Sequence, residues 1–348
     1  MSEETMAAAV LRRHGGPEAV EPARVPVPVA GAGEVLVRVG AAALNNTDLW
    51  TREGAYGRPG DPDARSGWRG PIGFPRIQGA DVVGTVVGRG PGVDPALEGR
   101  RVLVDPAIYD GGGDDAHPVG LLGSECDGGF AEYVAVPAVR AHPVDDSPLT
   151  DPELAALPTA YGTALGMLER GGVTDGETVV VTGASGGVGL ALVQLAAARG
   201  ADVVAVSSGN EDVLRQAGAR AVVDRRAGTC PGADAVAPGG ADAVLDVVAG
   251  TGVADGIERL RDGGRWIVAG ALAGHELAVD VRRLYLHNRS IVGSSMHTPA
   301  HFRALVAIAR AGSVRPVIAA TYPLADIREA QDELASRRHV GKLVVDSI

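Results

Sequence analysis

The sequence predicts an α/β protein with two domains, a β-rich domain and a doubly wound parallel sheet. The chain has 348 residues, which is long enough for two domains. Strands and turns fill about the first 140 residues, and strands alternating with helices follow, as in βαβ units. Near residue 290 the pattern becomes mixed again. We therefore expect one domain over residues 1–140 and 291–348, and another over 141–290.

Alternating apolar and polar residues predict the strands of the β-rich domain, as in Glu34–Val39. Three further segments show similar patterns: Asp81–Val87, Arg101–Val104 and Ala131–Val136. Two long loops, Gly57–Pro75 and Asp105–Gly129, interrupt these strands, and loops of that length usually carry function. The first contains Arg58, Arg65, Trp68 and Arg69. It could form a lid, recognise an anionic or large substrate, or be a tolerated insertion.

The parallel sheet is predicted from a continuous β-branched run, Thr178–Thr182, typical of a strand buried on both faces. A single long helix over Pro152–Arg170 is expected before it. The other predicted strands of this domain are Ala201–Val206, Ala221–Val223, Asp242–Val247 and Arg265–Ala269. The other predicted helices are Leu190–Arg199, Glu211–Ala217, Pro299–Ala311 and Ala325–Ser336, and a last strand is expected at Lys342–Val345.

The composition restricts the partners of the chain. Its net charge is −11 and Lys342 is its only lysine, which argues against binding to nucleic acid or to anionic membranes. No apolar run is long enough to cross a bilayer, and the first residues lack an export signal. The two cysteines, Cys126 and Cys230, show no metal-ligand spacing and fit a reduced compartment. We therefore expect a cytoplasmic protein with a small-molecule substrate.

A glycine-rich turn is the strongest motif. The segment from Val179 to Leu190 reads Val-Val-Val-Thr-Gly-Ala-Ser-Gly-Gly-Val-Gly-Leu, between a buried strand and a helix. The second and third glycines of a dinucleotide fingerprint fall at Gly186 and Gly189, and Ala184 takes the first position. The helix N-terminus would present amides to the phosphates. We predict that the turn binds the cofactor through Ala184, Ser185, Gly186, Gly187, Val188 and Gly189.

The end of the next strand bears on the choice of cofactor. An NAD-selective site usually carries an acidic residue there, but this chain has Ser207 and Ser208. These hydroxyls can donate hydrogen bonds to the extra phosphate of NADP. NADPH is therefore the favoured cofactor.

These residues and five further segments resemble the medium-chain dehydrogenase/reductase superfamily over nearly the whole chain. The chain looks most like its zinc-free, quinone-oxidoreductase-like branch. The further segments occur in the family's order: Ala43–Asp48, Gly79–Gly84, Asp127–Tyr133, Leu157–Ala164 and His339–Val344. The resemblance implies a GroES-like substrate domain, a Rossmann domain inserted into it, and homodimers or homotetramers.

The resemblance also implies that zinc is absent. Zinc-dependent relatives bind a catalytic zinc at positions that match Asn45, Ala80 and Thr159 here, and none is a good zinc ligand. The four cysteines of the structural zinc lobe are replaced by a loop that holds only Cys126. His297 and His301 are four residues apart, but surface exposure explains them more simply than metal binding.

The resemblance assigns candidate site residues. Asn45 matches an Asn that faces substrate or nicotinamide, Tyr56 has the spacing of an active-site Tyr, and Trp50 could line the substrate pocket. Alternatively, Tyr56 and Trp50 could be packing residues that do not contact a substrate. On the cofactor side, Thr163 matches a Thr near the nicotinamide, and Lys342 could reach a phosphate or only seal the domain interface. Four residues at strand ends would meet the ribose and amide: Val247, Val248, Ala269 and Gly270.

One departure concerns the cofactor. NADP-binding members often have Lys four residues after the position of Ser207, where this chain has Glu211. Arg215 or Arg225 could supply the missing charge.

Together these features predict a zinc-independent, NADPH-dependent reductase of an activated C=C bond or a quinone. Without zinc, no Lewis acid stabilises an alkoxide, whereas hydrogen-bond donors suffice for a conjugated carbonyl. Three alternatives remain. They are metal-free alcohol or aldehyde oxidoreduction, a non-redox protein that only binds the cofactor, and an enoyl reductase of a larger biosynthetic complex.

Overall fold

The computed structural model describes residues 4–57, 66–227 and 239–346. The chain forms two compact units: the first comprises Met1–Thr159 and Thr298–Ile348, and the second Ala160–His297. Both boundaries lie further along the chain than the expected 140/141 and 290/291. Residues 141–143 form a strand of the first unit, and residues 290–293 form a strand of the second, which accounts for the difference.

Eighteen strands occur in the described residues. They are β1 (Thr5–Leu11), β2 (Val20–Pro26), β3 (Glu34–Ala43), β4 (Arg76–Ile77), β5 (Asp81–Arg89), β6 (Arg101–Val104), β7 (Ala107–Tyr109), β8 (Pro118–Leu121), β9 (Tyr133–Pro137), β10 (Ala141–Pro143), β11 (Thr178–Val181), β12 (Asp202–Ser207), β13 (Ala221–Asp224), β14 (Ala241–Asp246), β15 (Leu260–Val268), β16 (Ser290–Gly293), β17 (Ile318–Tyr322) and β18 (Lys342–Asp346).

Nine α-helices occur in the same residues. They are α1 (Asn46–Glu53), α2 (Asp151–Ala155), α3 (Pro158–Arg170), α4 (Gly187–Ala198), α5 (Glu211–Gln216), α6 (Gly252–Ile257), α7 (Val281–Tyr285), α8 (Pro299–Ala311) and α9 (Ile327–Ser336). No helix in these parts of the chain is long and apolar enough to span a bilayer.

The first unit is built around a seven-stranded sheet with the order β10-β6-β5-β3-β18-β17, in which β9 also pairs with β3. Alternation explains β3: Val35, Val37 and Val39 are buried, whereas Arg38 is exposed. The C-terminal strand β18 runs antiparallel to β3 and thus completes the sheet. A smaller sheet, β2-β1-β4, packs into the same core. This confirms the predicted GroES-like β-rich domain.

The strands β1 and β2 were not predicted. Residues 6–11 of β1 are all apolar and mostly buried, so they show no period-two signal. β2 contains Pro22 and Pro26, which sequence rules assign to turns. Within the part of the chain that the structure describes, β2 pairs only with β1. Such an edge strand tolerates proline because the backbone on its outer side makes no hydrogen bonds to a neighbouring strand.

The second unit contains a six-stranded parallel sheet with the order β13-β12-β11-β14-β15-β16. This is the strand order of a dinucleotide-binding Rossmann fold, with the order reversing between β11 and β14. Val179, Val180 and Val181 of β11 are almost completely buried, as their β-branched run predicted. The predicted fold class is therefore confirmed. β16 escaped prediction because it is a short, largely exposed edge strand.

The predicted single helix Pro152–Arg170 is wrong, because two helices, α2 and α3, occupy this segment. Pro158 lacks the N–H that a continuous helix needs and disfavours helical geometry in the residue before it. Thr150 caps α2, where it exchanges hydrogen bonds with Glu153. The break starts α3 at a new N-terminus, which positions the backbone of Thr159.

Candidate active site and cofactor site

The glycine-rich turn connects β11 to α4 at the edge of the sheet where the strand order reverses. Gly183 lies in the left-handed region at φ +59, and Ala184 is fully buried with its N–H directed to the Val206 carbonyl. Gly186 is the exposed N-cap of the twelve-residue α4. The turn thus directs backbone and helix N-terminus to the place where a Rossmann fold binds a pyrophosphate.

Two glycines of the turn have different roles. A Cβ on Gly189 would lie 2.1 Å from the Gly183 carbonyl oxygen, so this position must be glycine for helix and turn to pack. A Cβ on Gly186 would meet only that same oxygen, at 3.6 Å. Gly186 therefore leaves open space beside the backbone, which fits the close approach of a phosphate.

Residues at the ends of β14 and β15 lie beside this turn. A side chain at Gly183 would approach Val247 and Val248, each at 3.1 Å. Gly270 lies so close to Val247 that a Cβ there would be 2.6 Å from the Val247 carbonyl oxygen. The structure therefore brings four predicted cofactor residues, Val247, Val248, Ala269 and Gly270, to the same edge of the sheet as the turn.

The end of β12 carries the serines that were predicted to select NADP. Ser207 is buried and Ser208 is exposed. On the neighbouring strand, Asp224 is the register partner of Ser207. Arg226 pairs with Asp224 and lowers the pKa of that carboxyl to about 2. Sequence reasoning missed this acidic residue, because only the strand register reveals that it lies beside Ser207.

The cations suggested for the NADP phosphate are differently placed. Arg215 forms an ion pair with Glu211 one helical turn away and donates to the Arg220 carbonyl. Arg225 is exposed and follows Asp224 directly. Arg225 is therefore the better placed of the two suggested cations beside the end of β12.

Thr163 is buried in α3, where its hydroxyl lies 3.7 Å from the Met296 sulfur. Met296 has a left-handed backbone at φ +50. Arg170 fixes this segment by donating hydrogen bonds to the Met296 carbonyl and the Ser294 hydroxyl. The described contact of Thr163 is thus with this segment, and the expected proximity to a nicotinamide stays a prediction.

In the first unit, a buried ammonium group organises the residues of the family motifs. The Lys342 Nζ donates to the Asn45 Oδ1 at 2.6 Å, the Leu44 carbonyl at 2.6 Å and the Asp81 carboxylate at 3.4 Å. The Asn45 amide donates to Asp81 at 3.0 Å, and the Thr159 N–H donates to the other oxygen of Asp81. We call Asn45, Asp48, Asp81 and Lys342 the buried cluster.

Asp48 adds a second carboxyl group to the buried cluster. It accepts a hydrogen bond from the Asn45 N–H at 2.7 Å. Burial, followed by repulsion from Asp81, raises the pKa of Asp48 to about 7, although the Asn45 N–H and Lys342 act in the opposite direction. Burial likewise lowers the pKa of Lys342. Sequence reasoning missed both acidic residues as members of a site, although both lie within the family segments.

Two predicted roles need correction. Lys342 donates to Asn45, Asp81 and the Leu44 carbonyl and its side chain is buried, so it is not available to a cofactor phosphate. Both polar atoms of the Asn45 side chain are likewise engaged by Asp81, Ala43 and Lys342. Asn45 is therefore placed to hold the start of α1 rather than to present its amide to a substrate.

Tyr56 and Trp50 lie together, as an edge-to-face pair with ring centroids 5.4 Å apart. Burial raises the pKa of the Tyr56 phenol far above its ordinary value, while a hydrogen bond with the Thr47 side chain acts against this shift. Trp50 also packs against the core of the unit. The phenol is therefore protonated at neutral pH, which is the state needed to donate a hydrogen bond.

The donor set does not fit a catalytic zinc. At the three positions that correspond to metal ligands in zinc-dependent relatives, Ala80 offers no donor, Asn45 is bonded to an ammonium, and Thr159 offers a hydroxyl. A dication beside the Lys342 ammonium would meet like charge. Across the described residues, no three His, Cys, Asp or Glu side chains form a group that could hold a metal ion.

His297 and His301 do not form a pair on one helix. α8 begins at Pro299, after His297, and His297 is completely buried. Its predicted surface exposure is therefore wrong. The pattern misled because polar spacing alone cannot tell a buried histidine from an exposed one.

The two predicted loops contact each other. Residues 105–129 contain the β7–β8 hairpin. The Trp68 and Arg69 backbone amides donate to Ser124 and Glu125 of that segment. Arg58 and Arg65 lie outside the described residues, so the suggested lid or anion site stays a prediction.

Comparison with known proteins agrees with this geometry. The family profile "Alcohol dehydrogenase GroES-like domain" matches residues 31–146, and "Zinc-binding dehydrogenase" matches residues 187–311. Rat (Rattus norvegicus) quinone oxidoreductase is 27% identical, over 99% of this chain and 98% of that protein. Acryloyl-coenzyme A reductase of Sulfurisphaera tokodaii is 29% identical, over 92% of this chain and 94% of that protein.

Among solved structures, one from Sinorhizobium meliloti 1021, described as a putative alcohol dehydrogenase, is 46% identical. It superposes with a TM-score of 0.93 and covers 98% of this chain and 96% of that one. The chain therefore belongs to the medium-chain dehydrogenase/reductase superfamily, within its quinone-oxidoreductase-like branch. It is an oxidoreductase of that superfamily.

Proposed function

We propose that the protein is a metal-independent, NADPH-dependent reductase that transfers hydride to an activated C=C bond or a quinone. The observation that carries the proposal is the buried cluster, in which the Lys342 ammonium is fixed against Asp81 and against Asn45, one of the positions matched to a metal ligand of zinc-dependent relatives. The glycine-rich turn supports the dinucleotide, and the quinone oxidoreductase and acryloyl-coenzyme A reductase relatives support the acceptor.

The proposed reaction requires the protein to bind cofactor and substrate and to donate one proton. The bound nicotinamide supplies a hydride. When the β-carbon of a conjugated carbonyl accepts it, the π electrons shift to the carbonyl oxygen, and the α-carbon then takes a proton. Tyr56, protonated and held by Thr47, is the proposed donor to the oxygen or to the α-carbon.

The preference for NADPH rests on Ser207 and Ser208, which offer hydroxyl donors at the end of β12. Asp224 beside them would repel a phosphate if unpaired, but its charge is offset by Arg226. We therefore keep NADPH as the proposed cofactor and expect NADH to bind more weakly.

A second candidate is metal-free oxidoreduction of an alcohol or aldehyde. It is favoured by the description of the Sinorhizobium meliloti structure as an alcohol dehydrogenase. It predicts reversible oxidation of alcohols with NADP, whereas the main proposal predicts activity with alkenes or quinones.

The test is oxidation of NADPH, with NADH in parallel, against a quinone, an enone, an enoyl thioester and an aldehyde. The protein should first be dialysed against a chelator, and its metal content measured. We expect chelator-resistant turnover of a quinone or conjugated alkene. A stoichiometric zinc whose removal abolishes turnover would contradict the proposal, and activity restricted to alcohols and aldehydes would favour the second candidate.

A further inference from the structure

Asp246 is a buried carboxylate at the end of β14, and it accepts four hydrogen bonds. Its Oδ1 accepts from the Val248 N–H at 2.8 Å, the Ala249 N–H at 3.1 Å and the Thr182 hydroxyl. Its Oδ2 accepts from the Trp266 indole N–H at 2.9 Å. The two carboxylate oxygens thus accept four hydrogen bonds, three of them at Oδ1.

The loop that Asp246 holds has an unfavourable backbone. Ala249 lies in the left-handed region at φ +52, which side chains other than glycine and asparagine rarely adopt. Such a conformation persists only where the surroundings fix it. Here the fixing contact is the hydrogen bond from the Ala249 N–H itself to Asp246.

Asp246 also connects this loop with its neighbours. Thr182 directly precedes Gly183 of the glycine-rich turn, and Trp266 belongs to β15. The Val248 carbonyl accepts a hydrogen bond from the Ala273 N–H at 2.8 Å. One carboxylate thus ties together the ends of β11, β14 and β15, on both sides of the point where the strand order reverses.

We infer that Asp246 is a positioning residue for the cofactor, which holds the loop Val247–Gly250 in the conformation that binds it. This inference rests on the proposed dinucleotide site at this edge of the sheet. The carboxylate has no exposed surface of note, so it acts through the loop and not by touching a ligand.

The first experiment is amide hydrogen exchange of the full-length, cofactor-free protein. In Asp246→Ala we expect exchange of the Val248 and Ala249 amides to accelerate by about tenfold or more, because both lose their acceptor. Asp246→Asn keeps one acceptor oxygen and leaves the Trp266 donor unmatched, so its effect should be intermediate. Unchanged exchange in both variants would overturn the inference, whatever the cofactor.

The second experiment measures the dissociation constant of NADPH by fluorescence. Asp246→Ala should weaken binding by about tenfold, and Ala249→Gly in the same chain should restore most of it, because glycine adopts the left-handed conformation without help. Urea unfolding of the same variants separates a change in binding from a change in stability. Failure of the rescue would overturn the inference.

The matched control is Asp242→Asn on the same strand. Asp242 accepts from the Thr178 N–H at 2.8 Å but lies at the opposite end of β14. It should leave exchange in Val247–Gly250 and the NADPH dissociation constant unchanged. If the unmodified protein bound neither NADPH nor NADH, the proposed function would fail, whereas the exchange experiment would still decide what Asp246 does to the loop.

Discussion

At the scale of single residues, Tyr56 is the side chain whose removal should most affect the chemistry. We expect Tyr56→Phe to lower the rate of alkene or quinone reduction by about 100-fold, because the phenol is the proposed proton donor. Stability should fall by about 1 kcal/mol through the lost hydrogen bond with Thr47, while the ring keeps its contact with Trp50. Steady-state rates, with cofactor binding measured separately, test this expectation.

Tyr109→Phe is the matched control for Tyr56. Tyr109 is also a partly buried tyrosine of the first unit, and its hydroxyl donates to Asp105 at 2.8 Å. Its loss should cost about 1–2 kcal/mol of stability and leave the rate within about twofold. Equal losses of rate in the two variants would remove the case for Tyr56.

Asp48 should make stability depend on pH near neutrality. Its pKa is about 7 in the fold against 3.8 for an ordinary aspartate, so between these values the native state holds a proton that the unfolded chain has lost. Stability therefore falls as pH rises through this window, by on the order of 4 kcal/mol. The charged groups facing Asp48 are Asp81 and Lys342.

The check is urea unfolding of the protein and of Asp48→Asn at several pH values from 4.5 to 8. The asparagine keeps an acceptor for the Asn45 N–H but cannot titrate. The variant should be relatively more stable at pH 8 than at pH 4.5. If the free energies of unfolding of the two proteins changed in parallel with pH, Asp48 would have the same pKa in the folded and the unfolded state.

Residues of the candidate site could be predicted from sequence only where the position of a residue relative to a strand or helix determines its role. Ala184, Gly186 and Gly189 could be placed because a strand and a helix frame them. Asn45 and Lys342 were matched to the right motifs but given the wrong partners, since β18 meets β3 only in the folded sheet. Asp246 gave no signal, because two of its four donors, Thr182 and Trp266, are distant in sequence and meet it only in the folded sheet.

At the scale of elements, two glycines of the turn between β11 and α4 have different roles, one in packing and the other in cofactor binding. Gly189→Ala would place a Cβ 2.1 Å from the Gly183 oxygen, so we expect a loss of about 1–3 kcal/mol of stability. Gly186→Ala should keep nearly full stability, because its Cβ has only a 3.6 Å neighbour, yet weaken NADPH binding. Thermal unfolding and cofactor titration of both variants distinguish the two effects.

If both alanine variants were equally unstable, the assignment of packing to Gly189 and of binding to Gly186 would be wrong.

Prediction of elements succeeded where periodicity was strong, as in β6 and α8, whose bounds match the predictions. It failed at Pro158, where one helix becomes two. It also failed for β16, whose exposed edge position leaves no continuous apolar run.

At the scale of the whole molecule, the resemblance implies a dimer or tetramer, and the second unit offers a suitable surface. β16 pairs only with β15 within the described residues, so its outer edge can accept another strand. Ile291 on it is partly exposed, and Val281, Tyr285 and Leu286 shortly before it are exposed. We propose that two copies pair through β16 about a two-fold axis.

Light scattering should then give at least twice the 35.3 kDa mass of the chain. Ile291→Lys should shift the protein towards the monomer, because a charge on the shared edge opposes pairing. Val139→Lys is the control, since Val139 is highly exposed in the first unit. A monomeric unmodified protein at micromolar concentration would contradict the proposal.

The burial of Lys342 has a practical consequence for anyone handling the protein. It carries the only side-chain amine in the sequence, and the fold leaves it only about 5% exposed. Acylating dyes and lysine-directed crosslinkers should therefore leave this side chain unmodified in the native protein and react with it after unfolding. Mass spectrometry of a single peptide would then report the fraction of molecules that have opened, without any engineered label.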